Sequence, residues 1–262
     1  MSPYPKSEVP ILAFHKVDPA VEWGVTRTTP SQFRRVLAHL KREQYQTVSL
    51  ERLMQNKSLP QKPVVLTFDD AYEGFCTHAL PFLMEFGFSA TLFVITGYAG
   101  RLNEWDVNLG GLKFKHLSWD RIRELSRIGF EIGSHTVHHP DLTKLDERTL
   151  MNELHRSKTD IENRIHKTVR FISFPFGRYD KRVVQACRET GYAAGCAFLS
   201  GKGKKDSFVF DRKAYYLIDG IWNLKAKLSS DWTASIERAK LRFINFCSHG
   251  TSLVKPPKWD ES

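Results

Sequence analysis

The stretch VVLTFDD, residues 64–70, decides the fold that the sequence predicts. Residues 64–68 form a short run of apolar and β-branched side chains, which is typical of a strand buried on both faces. Asp69 and Asp70 follow at once, and two adjacent negative charges there cost free energy unless a cation or solvent compensates them. A metal ion would compensate them. The pair alone leaves open a solvated turn or a helix cap before Ala71.

Strand-like and helix-like segments alternate on both sides of this stretch. Strands that alternate with helices predict a parallel sheet, and the number of repeats favours closure into a barrel. We therefore predict an α/β fold, a distorted, TIM-like (β/α) barrel of about seven strands in which residues 1–262 form a single domain. The predicted strands are 11–14, 64–68, 91–95, 130–134, 171–174 and 194–198, and the predicted helices are 31–43, 78–86, 118–128, 147–165 and 180–190.

The end of the chain, about residues 230–262, carries a different pattern. Apolar side chains recur there at helical spacing, which predicts a helical extension packed on the barrel. These side chains are Trp232, Ile236, Ala239, Phe243 and Phe246.

Composition and charge narrow the class of protein. The chain is 41% hydrophobic and 26% charged, as in ordinary globular proteins, and no apolar run approaches the roughly 20 residues that span a bilayer. The net charge of +10 suits an acidic partner, but the basic residues are scattered over helical segments, so no specific nucleic-acid partner is predicted. The first nine residues contain no signal-peptide core, so the chain is expected in the cytoplasm unless the sequence was trimmed.

Two histidines follow another predicted strand. In a parallel barrel, side chains at the carboxyl ends of the strands face the active site, which places Asp69, Asp70 and His135 at one mouth. His135 and His139 are four residues apart, a spacing that we interpret as one side of a helical turn and that suits two positions in a metal shell. His138 is interpreted as an ordinary, hydrogen-bonded neighbour. The sequence therefore predicts a His, His, Asp site with an open position for water.

Two motifs within these segments resemble a known family. TFDD at 67–70 and HTVHHP at 135–140 resemble the first two motifs of the polysaccharide deacetylases, the NodB-like carbohydrate esterases. The resemblance extends from PIL at 10–12 through SWD at 118–120 and FPFG at 174–177 to about Arg212, and its pattern is closest to the exopolysaccharide-type deacetylases.

The resemblance implies roles for individual residues. It assigns Asp70, His135 and His139 to a divalent metal, with zinc as the expected ion and cobalt or nickel as alternatives, and Asp69 to the general base outside the metal shell. The main-chain N–H of Phe176 would help to stabilise the oxyanion. The predicted substrate contacts are Phe174, Pro175, Gly177 and Trp105.

The sequence also departs from the family pattern. Ser173 occupies the position before the proline turn, where many members have an arginine that contacts the catalytic aspartate. Arg170, Arg178 and Arg212 are the candidates to replace it, and Arg212 fits best because an arginine before a β-rich stretch, here 214–218, resembles members that act on exopolysaccharides. His249 is a candidate for the general acid, and the alternative is that Asp69 returns its proton to the leaving amine.

These inferences predict a metal-dependent hydrolase that removes N-acetyl groups from a glycan. Poly-N-acetylglucosamine, chitin fragments and peptidoglycan all carry such groups, and the sequence does not choose among these polymers. Two alternatives remain open: an O-acetyl esterase acting on a glycan, and a carbohydrate-binding barrel without catalytic activity.

Overall fold

The computed structural model describes residues 9–20, 26–55, 59–104, 112–198 and 206–229. These ranges contain ten strands and seven α-helices. The strands are β1 (Ile11–Phe14), β2 (Lys16–Val17), β3 (Arg27–Thr28), β4 (Gln46–Thr47), β5 (Pro63–Phe68), β6 (Thr91–Val94), β7 (Glu131–Ser134), β8 (Phe171–Ser173), β9 (Ala194–Phe198) and β10 (Val209–Ala214). The helices are α1 (Pro30–Arg42), α2 (Leu50–Gln55), α3 (Leu80–Phe86), α4 (Trp119–Arg127), α5 (Glu147–Ile165), α6 (Lys181–Glu189) and α7 (Ile221–Leu228).

Seven strands close into a parallel barrel. The ring runs β1, β5, β6, β7, β8, β9 and β10, and β10 pairs with β1 to complete it. Every pairing in the ring is parallel, and β4 lies outside it beside the first residues of β5. The prediction of a (β/α) barrel of about seven strands is confirmed.

Parallel closure brings the carboxyl ends of all seven strands to one mouth of the barrel. The register aligns Phe14 with Phe68 and Val94 with Ser134, so neighbouring strands end at similar heights. The residues that directly follow these strands therefore converge on a small volume at this mouth.

Alternating side chains of the strands build two apolar layers. Val65, Phe93 and Phe171 belong to a cluster inside the barrel, whereas Leu66 and Ile172 belong to the larger cluster between barrel and helices. Full burial of such side chains contributes about 1.5 to 3 kcal/mol each. Because both faces are covered, β5 is buried at all six of its positions, as the uninterrupted apolar run predicts.

Local signals fix the helix boundaries. The Thr29 side chain accepts a hydrogen bond from Gln32 N and Pro30 opens α1, and Ser118 and Asp146 cap α4 and α5 in the same way.

The predicted helix 78–86 is partly wrong, because Phe75–Ala79 forms a π-helical turn before α3 begins. No helix among the described residues combines the length and the apolar composition needed to cross a bilayer.

Phe174 lies in the core, which corrects its prediction as a substrate contact. Its side chain is fully buried and stacks on Tyr179 with ring centroids 5.2 Å apart. A Cβ atom at Gly195 would overlap the Phe174 ring, so the glycine makes room for it. The side chain therefore packs between Gly195 of β9 and the Tyr179 ring instead of facing a ligand.

Gly195→Ala is expected to destabilise the fold by about 1 to 3 kcal/mol, because the added methyl group overpacks against the Phe174 ring. Urea unfolding measures this change. Gly220→Ser is the control, since the nearest atom to its new Cβ is 4.0 Å away and serine is a favoured residue at this N-cap position, so its free energy of unfolding should change by less than about 0.5 kcal/mol. Equal stability of the two variants would contradict the packing role of Gly195.

Candidate metal centre and active site

Three potential metal ligands meet at the mouth of the barrel. Asp70 follows β5, and His135 and His139 follow β7. One ligand atom from each residue lies within 4.8 Å of the other two, and all three residues are buried. The Asp70 Oδ1 atom lies 3.4 Å from His135 Nε2 and 3.9 Å from His139 Nε2. The structure therefore brings together the three residues that the sequence predicts as metal ligands.

Hydrogen bonding orients His135 for a metal. Its Nδ1 atom lies 2.7 Å from the carbonyl oxygen of Ser173, which can only accept, so Nδ1 carries the hydrogen. In the neutral ring this leaves a lone pair on Nε2, the atom that faces Asp70. Buried histidines that donate to a carbonyl while offering the other nitrogen are typical of zinc sites. Two imidazoles and one carboxylate are a donor set that zinc prefers, so these residues fit the implied ion.

The two histidines do not share a helical turn, which corrects the interpretation of their spacing. Residues 135–140 form an irregular turn in which Thr136 and His139 have φ of 67° and 59°. The N–H of His139 donates to Thr136 Oγ1 at 2.9 Å, and the N–H groups of Thr96 and Gly97 donate to the carbonyls of Thr136 and Val137. The four-residue spacing therefore brings the rings together through a left-handed turn.

Left-handed backbone is concentrated at this mouth. Among the described residues, seven non-glycine residues have positive φ, and five of them belong to the three segments that form the site. Such conformations cost of order 1 kcal/mol or more each and persist where surrounding contacts over-determine them. The five are Asp70, Ala71, Thr136, His139 and Phe176.

Burial and neighbouring charges set the pKa values of the ligands. Burial and the charge of His135 lower the pKa of His139 to about 3. Burial also opposes charge on His135, but its hydrogen bond to Asp70 and the carboxylate charges of Asp69 and Asp70 outweigh burial and raise its pKa. Burial raises the pKa of Asp70, and the hydrogen bond and charge of His135 outweigh it and lower the pKa. His139 is therefore neutral at pH 7, the form in which imidazole binds a metal.

Asp69 lies beside the ligands and is held by Arg212. The guanidinium donates to Oδ1 and Oδ2 of Asp69 at 2.7 Å each, and Ser173 Oγ bridges the same two residues. Burial raises the pKa of Asp69, but the charge and hydrogen bonds of Arg212 outweigh burial and lower it. Asp69 is thus ionised at neutral pH while it stays outside the trio of ligands.

Arg212 occupies the inside of the barrel. Its side chain is fully buried, and the guanidinium lies over the rings of Phe93 and Phe198 at 5.3 and 4.9 Å from their centroids. The prediction that a strand follows Arg212 at 214–218 is wrong, because Arg212 lies within β10 and the strand ends at Ala214. Strand alternation turns Arg212 inward toward Asp69.

The other two arginine candidates have different partners. Arg170 pairs with Glu51 at 2.5 Å, and Arg178 pairs with Asp141 at 2.5 Å. Of the three candidates, only Arg212 contacts Asp69 in the described part of the chain.

His15 is a site residue that the sequence reasoning missed. It follows β1, and its Nε2 atom lies 4.0 Å from Asp69 Oδ2. The ring stacks on Phe198, and among the described residues its Nδ1 atom has no hydrogen-bond partner. Burial lowers the pKa of His15, and Asp69 and Asp70 oppose that shift. The strand-end rule that selected Asp69 would also have selected His15 had it been applied to β1.

The turn Pro175–Gly177 follows β8 and reaches the metal ligands. Phe176 has φ of 58°, and its ring meets the His139 ring edge to face at 4.8 Å. The ion pair between Arg178 and Asp141 joins this turn to the segment after His139. Pro175 and Gly177 are buried in the turn, and the predicted roles of these two residues and of the Phe176 N–H stay predictions.

Comparison with known proteins identifies the family. The sequence profile of the polysaccharide deacetylases matches residues 56–195, more than half of the chain. The chain belongs to the polysaccharide deacetylase family. Its members are carbohydrate esterases, as the resemblance of TFDD and HTVHHP indicates.

Individual relatives agree with this assignment. YxkH of Bacillus subtilis, which is named as a polysaccharide deacetylase, is 28% identical over 208 residues, 78% of this chain and 69% of YxkH. The poly-beta-1,6-N-acetyl-D-glucosamine N-deacetylase of Escherichia coli is 29% identical over 143 residues, which is 51% of this chain and only 21% of that protein. A crystal structure of a polysaccharide deacetylase from Bacillus cereus superposes on this chain with a TM-score of 0.72 at 24% sequence identity. The match covers 84% of this chain and 69% of the Bacillus cereus chain, so the two proteins have the same fold.

Some predictions for this deacetylase-family chain lie outside the described residues. They concern Trp105 as a substrate contact, His249 as a general acid, and the helical extension at about 230–262.

Proposed function

We propose that this protein is a zinc-dependent N-deacetylase that acts on a polymer of β-linked N-acetylglucosamine. One observation carries the proposal: the buried donor atoms of Asp70, His135 and His139 lie within 4.8 Å of one another, next to the ionised carboxylate of Asp69. This arrangement combines an ion site with a proton acceptor, which amide hydrolysis requires because both amide and water are unreactive.

In this proposal Asp69 accepts the proton of the attacking water. A divalent ion held by Asp70, His135 and His139 would lower the pKa of a bound water to about 7 and polarise the acetyl carbonyl. Arg212 keeps Asp69 ionised and fixes both of its oxygens, so the basicity of Asp69 is lowered but its position is well defined. A positioned base of this kind contributes about 10²- to 10⁴-fold in rate.

Two further groups complete the mechanism. The Phe176 ring lies 4.8 Å from the His139 ring, and we assign the main-chain N–H of Phe176 to the negative charge that develops on the acetyl oxygen. The proton that Asp69 takes from water passes to the leaving amine, and we assign the imidazole of His15, whose Nε2 atom lies 4.0 Å from Asp69 Oδ2, to receive it from Asp69 and hand it on. Its ring is held by Phe198, so its orientation is fixed before substrate arrives.

The substrate class rests on the relatives and on Arg212. The Escherichia coli relative is named for poly-beta-1,6-N-acetyl-D-glucosamine, which supports this polymer as the preferred substrate over chitin fragments and peptidoglycan. Placing the arginine partner of Asp69 on the last strand also agrees with the exopolysaccharide-type pattern of the sequence. O-acetyl ester hydrolysis at the same site is the alternative that a substrate panel separates.

Removal of the metal is expected to abolish acetate release from poly-β-1,6-N-acetylglucosamine, and zinc should restore it. Acetate is measured after treatment with a chelator and again after one equivalent of zinc is added. Acetylated chitin oligosaccharides and O-acetylated xylan are the comparison substrates. Full activity after complete metal removal would contradict the proposal, as would zinc binding without release of acetate from any amide substrate.

A further inference from the structure

Helix α5 turns three polar side chains toward the segments that carry the metal ligands. Glu153, Ser157 and Asp160 are four and three residues apart, so they lie along one stripe of the helix. Ser157 accepts from Ser134 Oγ at 2.8 Å, and Asp160 accepts from Thr96 Oγ1 at 3.3 Å. This stripe therefore joins the helix to β7 and to the residues after β6.

Glu153 makes the closest contacts of the three. It is 1% exposed, and its Oε2 atom accepts from the N–H groups of Val137 at 2.9 Å and His138 at 3.1 Å. Its Oε1 atom lies 2.6 Å from His138 Nδ1. One buried carboxylate thus holds two of the three residues between His135 and His139.

Glu153 supplies the acceptors for two N–H groups of a turn whose backbone is partly left-handed. Thr136 and His139 are in the left-handed region, which is unfavourable for residues with a Cβ atom, and the adjacent N–H groups of Val137 and His138 are buried and partly buried. An unsatisfied buried N–H costs about 1 to 3 kcal/mol. The Glu153 carboxylate satisfies both N–H groups at once and so favours the turn over extended alternatives.

We propose that Glu153 is a positioning residue that holds His135 and His139 at metal-binding distance before the metal arrives. The proposal rests on the proposed metal dependence of the enzyme. Glu153 does not belong to the ligand set, and it acts through the backbone of Val137 and His138. Residues that orient metal ligands in this way typically change metal affinity by about 10- to 100-fold when they are replaced.

The test compares zinc affinities of purified, metal-free proteins by competition with a chromophoric chelator. Glu153→Ala removes the acceptor and is expected to weaken zinc binding by about 10- to 100-fold. Glu153→Gln keeps one oxygen that can accept from both N–H groups, so it should recover most of the affinity. Excess zinc should restore much of the kcat of Glu153→Ala, because the reacting groups themselves are intact.

Glu162→Ala is the matched control on the same helix. Its carboxylate also accepts from a backbone N–H, that of Val169 at 2.8 Å, and pairs with Lys158, but it contacts neither metal-ligand segment. This variant should lower the thermal midpoint of the metal-free protein without a change in zinc affinity. An equal loss of zinc affinity in both variants would overturn the proposal, because it would indicate general destabilisation.

The outcomes separate this inference from the proposed function. Absence of zinc binding in the unmodified protein contradicts the proposed function, whereas normal zinc binding in both the unmodified protein and Glu153→Ala contradicts only the role of Glu153. If Glu153→Ala does not fold, His138→Ala replaces it, since that change removes one of the three hydrogen bonds of Glu153 and spares both N–H groups. We expect a fewfold weaker zinc affinity, and unchanged affinity would overturn the proposal.

Discussion

Arg212→Met is expected to destabilise the metal-free protein by about 3 to 5 kcal/mol, because it leaves the buried carboxylate of Asp69 without its partner. Arg212 and Asp69 are 0% and 1% exposed, so water cannot replace the two hydrogen bonds that are lost. Methionine has nearly the length of the aliphatic part of the Arg212 side chain, so the cavity left by the substitution is limited to the space of the guanidinium group. Urea unfolding of the metal-free protein measures the change.

A double variant tests the cause of this loss. Asp69→Asn combined with Arg212→Met removes both charges, so the pair should recover a large part of the lost stability. Arg34→Met is the surface control, because Arg34 pairs with Glu85 at side-chain exposures of 53% and 46% and should cost no more than about 1 kcal/mol. A loss of similar size at both arginines, without recovery in the double variant, would contradict the electrostatic explanation.

Asp69→Asn alone is expected to lower kcat by about 10²- to 10⁴-fold while zinc binding is retained, because the asparagine amide cannot accept the proton of water. The test measures two quantities on the same preparation: zinc content by mass spectrometry, and acetate release from poly-β-1,6-N-acetylglucosamine. Asp70→Asn is the comparison, since it removes a predicted ligand and should reduce both zinc content and activity. Loss of zinc in the first variant with its retention in the second would reverse the two assigned roles.

The barrel was predictable because its signals are local. Each strand or helix can be recognised within its own segment, from an apolar run such as 64–68 or a capping residue such as Ser118. The regular alternation of the two then predicts the parallel sheet. The predicted helix 147–165 has the same bounds as α5, and in the structure Asp146 caps it at its N-terminus. The prediction that the ring closes followed from the number of strand–helix repeats and from the parallel direction of the strands.

Several site details were not predictable, because they depend on contacts between distant segments. Strand β10 reads VFDRKA, in which charged residues mask the strand pattern, and only the buried Asp69 explains a buried Arg212. The four-residue spacing of His135 and His139 occurs in helices and in turns alike, and here the turn is held by hydrogen bonds from other elements, among them those of Glu153 and of the Thr96 and Gly97 N–H groups. His15 belongs to no spaced motif, and only its place directly after β1 marks it as a site residue.

Closure of the ring by β1 and β10 also has a consequence for biosynthesis. Arg212 is 143 residues after Asp69, and it arrives on the last strand of the barrel. While the chain emerges from the ribosome, the carboxylate stays without its counter-charge until nearly all of the barrel has been made. Shortened translation products that end before β10 would therefore lack both a closed barrel and the arginine partner of Asp69, so removal of acetyl groups should begin only after the entire ring has been synthesised.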